Sequence, residues 1–237
     1  MFLCLLCFSS CRKASTSRAQ RGRQTGYVQS KEETETARSS RKHGITNKRS
    51  VKKLDGCEVF DKYSTAVFMV FTSDGMNRYQ GSGFFIDNQG LAVSNYHVFK
   101  GTGIGMEKIK LLGSDVAHNV TEIIAKDEKE DYILFRVDCD NTNYLPIASS
   151  KPQIGEKVFA IGSPRGLENT FSSGEVSQWR AKNLMQINAL IDHGSSGGAL
   201  INEFGEAVGI TSGSFYDGSQ ANLNYAWSID VVKPYLK

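Results

Sequence analysis

From Cys57 to the end the chain repeats one pattern, a short run of β-branched and aromatic residues followed by a cluster of turn formers. The runs are Ala66–Phe71, Gly83–Ile86, Leu91–Ser94, Ile109–Leu112, Val120–Ile124, Tyr132–Val137, Lys157–Ile161, Leu184–Ile187, Ala199–Ile201, Ala207–Thr211 and Leu223–Ile229. They break at Asp87-Asn88-Gln89-Gly90, Gly162-Ser163-Pro164-Arg165-Gly166 and Asn202-Glu203-Phe204-Gly205, where glycine, proline and short polar side chains favour tight turns. The 23 glycines against 4 prolines suit many such turns. Strands of this number without a long helical period predict an all-β domain, a sandwich or barrels. A short closing helix is expected over Asp230–Lys237, with Asp230 as N-cap and Pro234 in its first turn.

Length and charge divide the chain. Its 237 residues, 40% hydrophobic, can bury one good core or two small ones sharing an interface. The net charge of +3 hides a split: Arg12 to Asp55 holds 13 Lys and Arg against 4 acids, and the rest holds 15 against 21. Residues 12–56 are too poor in large apolar side chains to offset their ordering entropy, so they read as a basic, disordered linker. Base stacking needs interleaved aromatics, and Tyr27 stands alone, so no specific nucleic-acid partner is expected.

The first eleven residues, MFLCLLCFSSC, are apolar and too short to cross a bilayer as a helix. They resemble the end of a bacterial lipoprotein signal peptide, with Phe8-Ser9-Ser10-Cys11 as its box. That resemblance implies export, to the periplasm or to a membrane through lipid on Cys11. Phe8 in place of the usual Leu, and the lack of a preceding basic residue, depart from the pattern. Of five cysteines only Cys57 and Cys139 fall in the domain 57–237, too few for a disulfide framework. A single bridge between them is open to an oxidising compartment. Neither belongs to a metal-ligand spacing, and no metal or organic cofactor is implied.

Three local sequences carry chemistry. Gly81-Ser82-Gly83-Phe84 opens a strand–turn–strand that delivers His97 within Ser94-Asn95-Tyr96-His97-Val98. Asp131 heads the apolar strand Tyr132-Ile133-Leu134-Phe135. Ser196 lies in Asp192-His193-Gly194-Ser195-Ser196-Gly197-Gly198. Alone, each has a plain structural explanation: a strand-end histidine, a solvated strand end, a flexible turn. In combination they supply what acyl transfer requires, a hydroxyl nucleophile, a base titrating near neutrality, and an anion fixing that base. Glycines beside the serine let backbone N–H groups approach a developing oxyanion. The order His, Asp, Ser is that of the chymotrypsin arrangement.

At these residues the domain resembles HtrA/Deg-type serine proteases, in the Gly-Ser-Gly-Phe strand, the Ser94–Val98 histidine motif, the Asp127–Ile133 acidic motif and the Gly194–Leu200 nucleophile motif. Ala160–Leu167, Ser173–Ser177, Gly205–Ile210 and Tyr225–Ile229 extend it over roughly residues 60–232. The resemblance implies a chymotrypsin-like double β-barrel and peptide-bond hydrolysis in unfolded or extended polypeptides. It implies His97, Asp131 and Ser196 as the catalytic triad, with Asp131 rather than Asp127 as the acid. The N–H groups of Gly194 and Ser196 would form the oxyanion hole, and Ser212-Gly213-Ser214 would pair with the substrate backbone. Leu190, Ile191, Tyr225 and Ala226 would line the S1 pocket; Leu190, where an acid would select basic residues, implies small or medium apolar P1 side chains. Ser195 replaces the family's usual Asn. The sequence ends soon after the protease domain, so the PDZ module common in the family is not expected. The short segment between Phe71 and Gly81 gives no support to loop-mediated assemblies, and the oligomeric state is left open. Two other activities fit the same residues: a silent, chaperone-like binding protein, and an ester hydrolase.

Overall fold

Strands with apolar residues in unbroken succession must be covered on both faces, and two packed sheets provide that cover. In the computed structural model, which describes residues 52–103, 105–164, 167–214 and 223–236, they do so. The leader with Cys11, and the basic segment through residue 51, lie outside the described residues. Strands β1 (Val67–Ser73), β2 (Arg78–Phe85), β3 (Leu91–Ser94), β4 (Lys108–Leu111), β5 (Ala117–His118), β6 (Val120–Asp127) and β7 (Tyr132–Val137) form one sheet. Its order is β5-β4-β1-β2-β3-β7-β6. Strands β8 (Lys157–Gly162), β9 (Thr170–Trp179), β10 (Leu184–Ile187), β11 (Ala199–Asn202), β12 (Ala207–Ser214) and β13 (Asn224–Ser228) close a barrel ordered β10-β13-β12-β11-β8-β9.

The expected double barrel is thus closed by hydrogen bonds on one side only. The first sheet curls for a different reason: its edge strands β5 and β6 are separated by Asn119 alone. One residue spans only a few ångströms, so the two edges must lie close together. Asp138, just past β7, receives the Asn119 N–H at 2.7 Å and its amide at 2.8 Å, which ties the corner.

Alternation sorts the side chains into three apolar clusters. Phe68, Phe85, Ile133 and Phe135 fill the curled sheet, with the Phe68 and Phe85 rings 4.6 Å apart. Val158, Ala160, Met185 and Leu200 fill the barrel. Their neighbours on the opposite faces, Val67, Phe84, Leu134, Phe159, Ile161 and Ile201, meet in the seam between the sheets.

Three local features differ from what periodicity suggests. Helix α1 (Gly56–Tyr63) precedes β1, started by a capping box in which Asp55 accepts from Glu58 N–H and Glu58 returns the bond, both at 2.9 Å. It buries Val59 and Tyr63, and Leu54 before it packs on the seam, so ordered structure begins within the last residues assigned to the linker. Strand β9 has no apolar run to reveal it: Thr170–Trp179 is mostly serine and polar residues around Gly174. It is held by ladder pairing with β8 and β10, and Gly174 gives room to the Ala189 backbone; a Cβ there would sit 2.4 Å from the Ala189 nitrogen. The closing helix is two 3₁₀ turns, Ile229–Val231 and Lys233–Tyr235. Ser228, not Asp230, caps the first, its hydroxyl accepting the Asp230 N–H, and Pro234 is the second residue of the other. Cys57 and Cys139 are free thiols, Cys57 exposed on α1.

Burial, and then the charges of Asp138 and Asp140, push the Cys139 thiol up to about 11. At pH 8 its thiolate is therefore a minor species, and the thiolate is what alkylates. Iodoacetamide at pH 8 should modify Cys57 well before Cys139, with the order read by peptide mass spectrometry.

Candidate active site

His97 lies in a single helical turn, α2 (Tyr96–Phe99), reached directly from β3 through Asn95. The turn carries Val98 and Phe99 into the core and leaves the imidazole at the surface. Asp131 ends the hairpin connection between β6 and β7, where Asp127 pairs with Tyr132. Its φ of 44° is left-handed, a conformation that costs a non-glycine residue energy unless its surroundings hold it. They do. The Asn95 amide, fully buried, donates to the Asp131 carbonyl at 2.8 Å. The carboxylate accepts from the His97 backbone N–H at 2.9 Å and from the Ser212 hydroxyl at 2.8 Å.

The same carboxylate meets His97 Nδ1 at 2.9 and 3.1 Å. With Nδ1–H donating to the anion, Nε2 is the ring's lone-pair nitrogen and faces away from Asp131. The exposures suit that division: the Asp131 side chain is 16% exposed and the imidazole 47%.

Ser196 follows a tight turn between β10 and β11. Ser195 N–H donates to Asp192 O at 2.9 Å, and Gly194, third in the turn, has φ of 95°. That combination is a type II turn, which needs glycine at this place. Gly197 has φ of 88°, and a Cβ on it would lie 2.1 Å from Ser82 O and 2.3 Å from Ser94 Oγ. Among the hydrogen bonds of the described residues, none engages the N–H of Gly194 or of Ser196.

A cavity of about 210 Å³ is lined by His97, Ile191, Asp192, His193, Ser196, Ser212 and Gly213. The histidine and serine that sequence reading paired therefore share one space, and Asp131 backs the histidine. Among the described hydrogen bonds none joins Ser196 Oγ to His97.

The residues assigned to S1 part company. Ile191 lines the cavity with Ser212 and Gly213, and the backbone of Ser214 pairs with Asn224 in β13. Leu190 does not line it: its side chain is 64% exposed and borders a separate 140 Å³ cavity with Pro164 and Phe171. Ala226 is buried in the barrel core, and Tyr225 is the β13 partner of Gly213 rather than part of the cavity lining. The cause is alternation past β10, which turns Ala189 into the core and Leu190 outward. Ser82 and Asn95, quoted in the motifs without a role of their own, and Thr211 also bond into this region. Small polar residues inside apolar strands were the available signal, and that signal is common. Among the described residues no group of three His, Cys, Asp or Glu could hold a metal ion.

A curled sheet against a closed six-stranded barrel, with His, Asp and Ser brought to one cleft, defines the chymotrypsin class of hydrolase folds. Residues 81–210 match the family described as trypsin-like peptidase domain. The chain belongs to that family. It is 32% identical over 165 residues to "Protease Do-like 1, chloroplastic" of Arabidopsis thaliana, covering 64% of this chain and 36% of that one. It is 34% identical to the "Probable periplasmic serine endoprotease DegP-like" of Halomonas elongata, covering 64% and 33%. It is 32% identical to "Serine protease HTRA2, mitochondrial" of Drosophila virilis, covering 73% and 42%. The matches thus span about a third to two fifths of these relatives. The crystal structure of the serine endoprotease from Yersinia pestis superposes with a TM-score of 0.68 at 26% identity, covering 76% of this chain and 64% of that one.

Gly197→Ala should unfold the protein more readily by about 3 kcal/mol or more, since it adds left-handed strain to a backbone overlap. Gly75→Ala, with φ of 92° but open space around it, should cost only about 1 kcal/mol. Urea denaturation of the two variants measures the difference.

Proposed function

We propose that this protein is a serine endopeptidase acting on unfolded or extended polypeptides. The observation that carries it is the Asp131 carboxylate, which holds both the ring and the backbone N–H of His97 beside the cavity containing Ser196. In this reading Ser196 Oγ attacks the scissile carbonyl while His97 Nε2 accepts its proton, and Asp131 stabilises the imidazolium. The N–H groups of Gly194 and Ser196 receive the oxyanion. The imidazolium then protonates the leaving amine, and water, deprotonated by His97, releases the acyl group from Ser196. The backbone of β12 at residues 212–214 offers an edge for the substrate to pair with.

For P1, Ile191 is the apolar wall of the cavity, and the Asp192 carboxylate beside it already accepts the His193 N–H at 2.7 Å. We place small or medium apolar P1 side chains there. Relatives carry periplasmic, mitochondrial and chloroplastic names, which favours an exported or organellar setting. Lipid attachment at Cys11 is a separate proposal that rests on the leader sequence alone. No described helix is long and apolar enough to cross a membrane.

Casein hydrolysis should fall roughly 10⁶-fold in Ser196→Ala, the scale known for loss of a triad nucleophile. A fluorophosphonate should label wild type at Ser196; an unlabelled, inert wild type would leave a binding protein, and ester turnover without casein turnover an esterase. A peptide library should be cut after small or medium apolar residues, and strong selection of Lys or Arg would overturn the P1 assignment.

A further inference from the structure

We infer that two buried hydroxyls, Thr211 on β12 and Ser82 on β2, are positioning residues that preset the oxyanion site, an inference that rests on the hydrolase reading. A trans peptide directs its C=O and N–H to opposite sides, so fixing one end aims the other. The peptide between Ser195 and Ser196 carries the Ser196 N–H. Its carbonyl, Ser195 O, accepts from Thr211 Oγ1 at 2.7 Å and from Gly198 N–H at 2.9 Å. Thr211 is itself held in place: its N–H donates to Gly198 O at 2.9 Å, and its carbonyl accepts from Gly197 N–H at 2.7 Å. It is 1% exposed.

The next peptide back, between Gly194 and Ser195, is fixed at both ends. Its carbonyl accepts from Ser82 Oγ at 2.7 Å and its N–H donates to Asp192 O at 2.9 Å. Holding that plane fixes the type II turn, and with it the direction of the Gly194 N–H. Ser82 is wholly buried, and its hydroxyl also accepts from Ser163 N–H at 2.8 Å. It therefore has one geometry available, with its proton on Gly194 O. One clamp comes from each sheet. Neither side chain lines the cavity at Ser196, so neither is expected to touch substrate.

Thr211→Val keeps the shape and removes the donor. With active sites titrated by fluorophosphonate, it should lower kcat on a peptide amide roughly 10- to 100-fold, less than outright loss of an oxyanion donor. KM should stay within about twofold, and affinity for a peptide aldehyde, whose adduct carries the oxyanion, should fall in parallel with kcat. Thr211→Ser should restore kcat to within a few-fold of wild type, and Ser82→Ala should repeat the Thr211→Val pattern. If Thr211→Val fails to fold, Thr211→Ala and Ser82→Ala carry the same readouts. Folded Thr211 and Ser82 variants with wild-type kcat and aldehyde affinity would overturn the clamp while leaving the hydrolase reading intact. Equal impairment of Thr211→Ser and Thr211→Val would also overturn it. A wild type that neither labels nor hydrolyses would remove the hydrolase reading and the clamp together.

Discussion

The arrangement depends on how closely β2 of the curled sheet approaches the nucleophile loop of the barrel. Ser82 N–H donates to Ser196 O at 2.8 Å, and Ser94 Oγ donates to Ser82 O at 2.7 Å. The first of these, backbone to backbone between the sheet and the barrel, requires that nothing stand between them. Glycines provide the clearance: a Cβ on Gly81 would fall 3.2 Å from Ser196 O, and one on Gly162 would fall 3.0 Å from Ser195 Cα. The apolar seam of Phe84, Phe159 and Ile161 holds the sheets together at this spacing. Hydrophobic burial supplies the attraction, and buried hydrogen bonds, costly to leave unmade, set the register.

The histidine side of the cleft follows a different logic. Asp131 occupies a left-handed conformation at the end of a hairpin, and donors from two segments, Asn95 and His97 on one and Ser212 on the other, converge on its carbonyl or carboxylate. Local strain is accepted because tertiary contacts specify the residue completely. Asn95 shows where satisfaction stops: its amide nitrogen is bonded to Asp131, while its buried Oδ1 has no partner. That imbalance lies one residue from α2, at the place where the imidazole leaves the sheet.

The sequence determined the all-β class, ten of the strands to within a few residues, and the types and order of the reacting side chains. It could do so because two-face burial writes continuous apolar runs, and because glycine is favoured where backbone turns left-handed and demanded where it passes close to other backbone. It missed β9, whose serines and Gly174 pair by hydrogen bonds rather than by apolar burial. It missed α1 because a capping box occupies only four residues. It put Leu190 in the pocket by analogy, whereas that side chain, past the end of β10, is exposed and borders a different cavity.

Only the tertiary structure decided which polar residues act on which. Thr211 and Ser195, or Asn95 and Asp131, lie 16 and 36 residues apart, and no local pattern marks such pairs. Apolar periodicity records which face of a strand is buried, since burial acts on each residue separately. The partner of a buried hydroxyl depends on where two distant segments cross, which is fixed only when both sheets have packed.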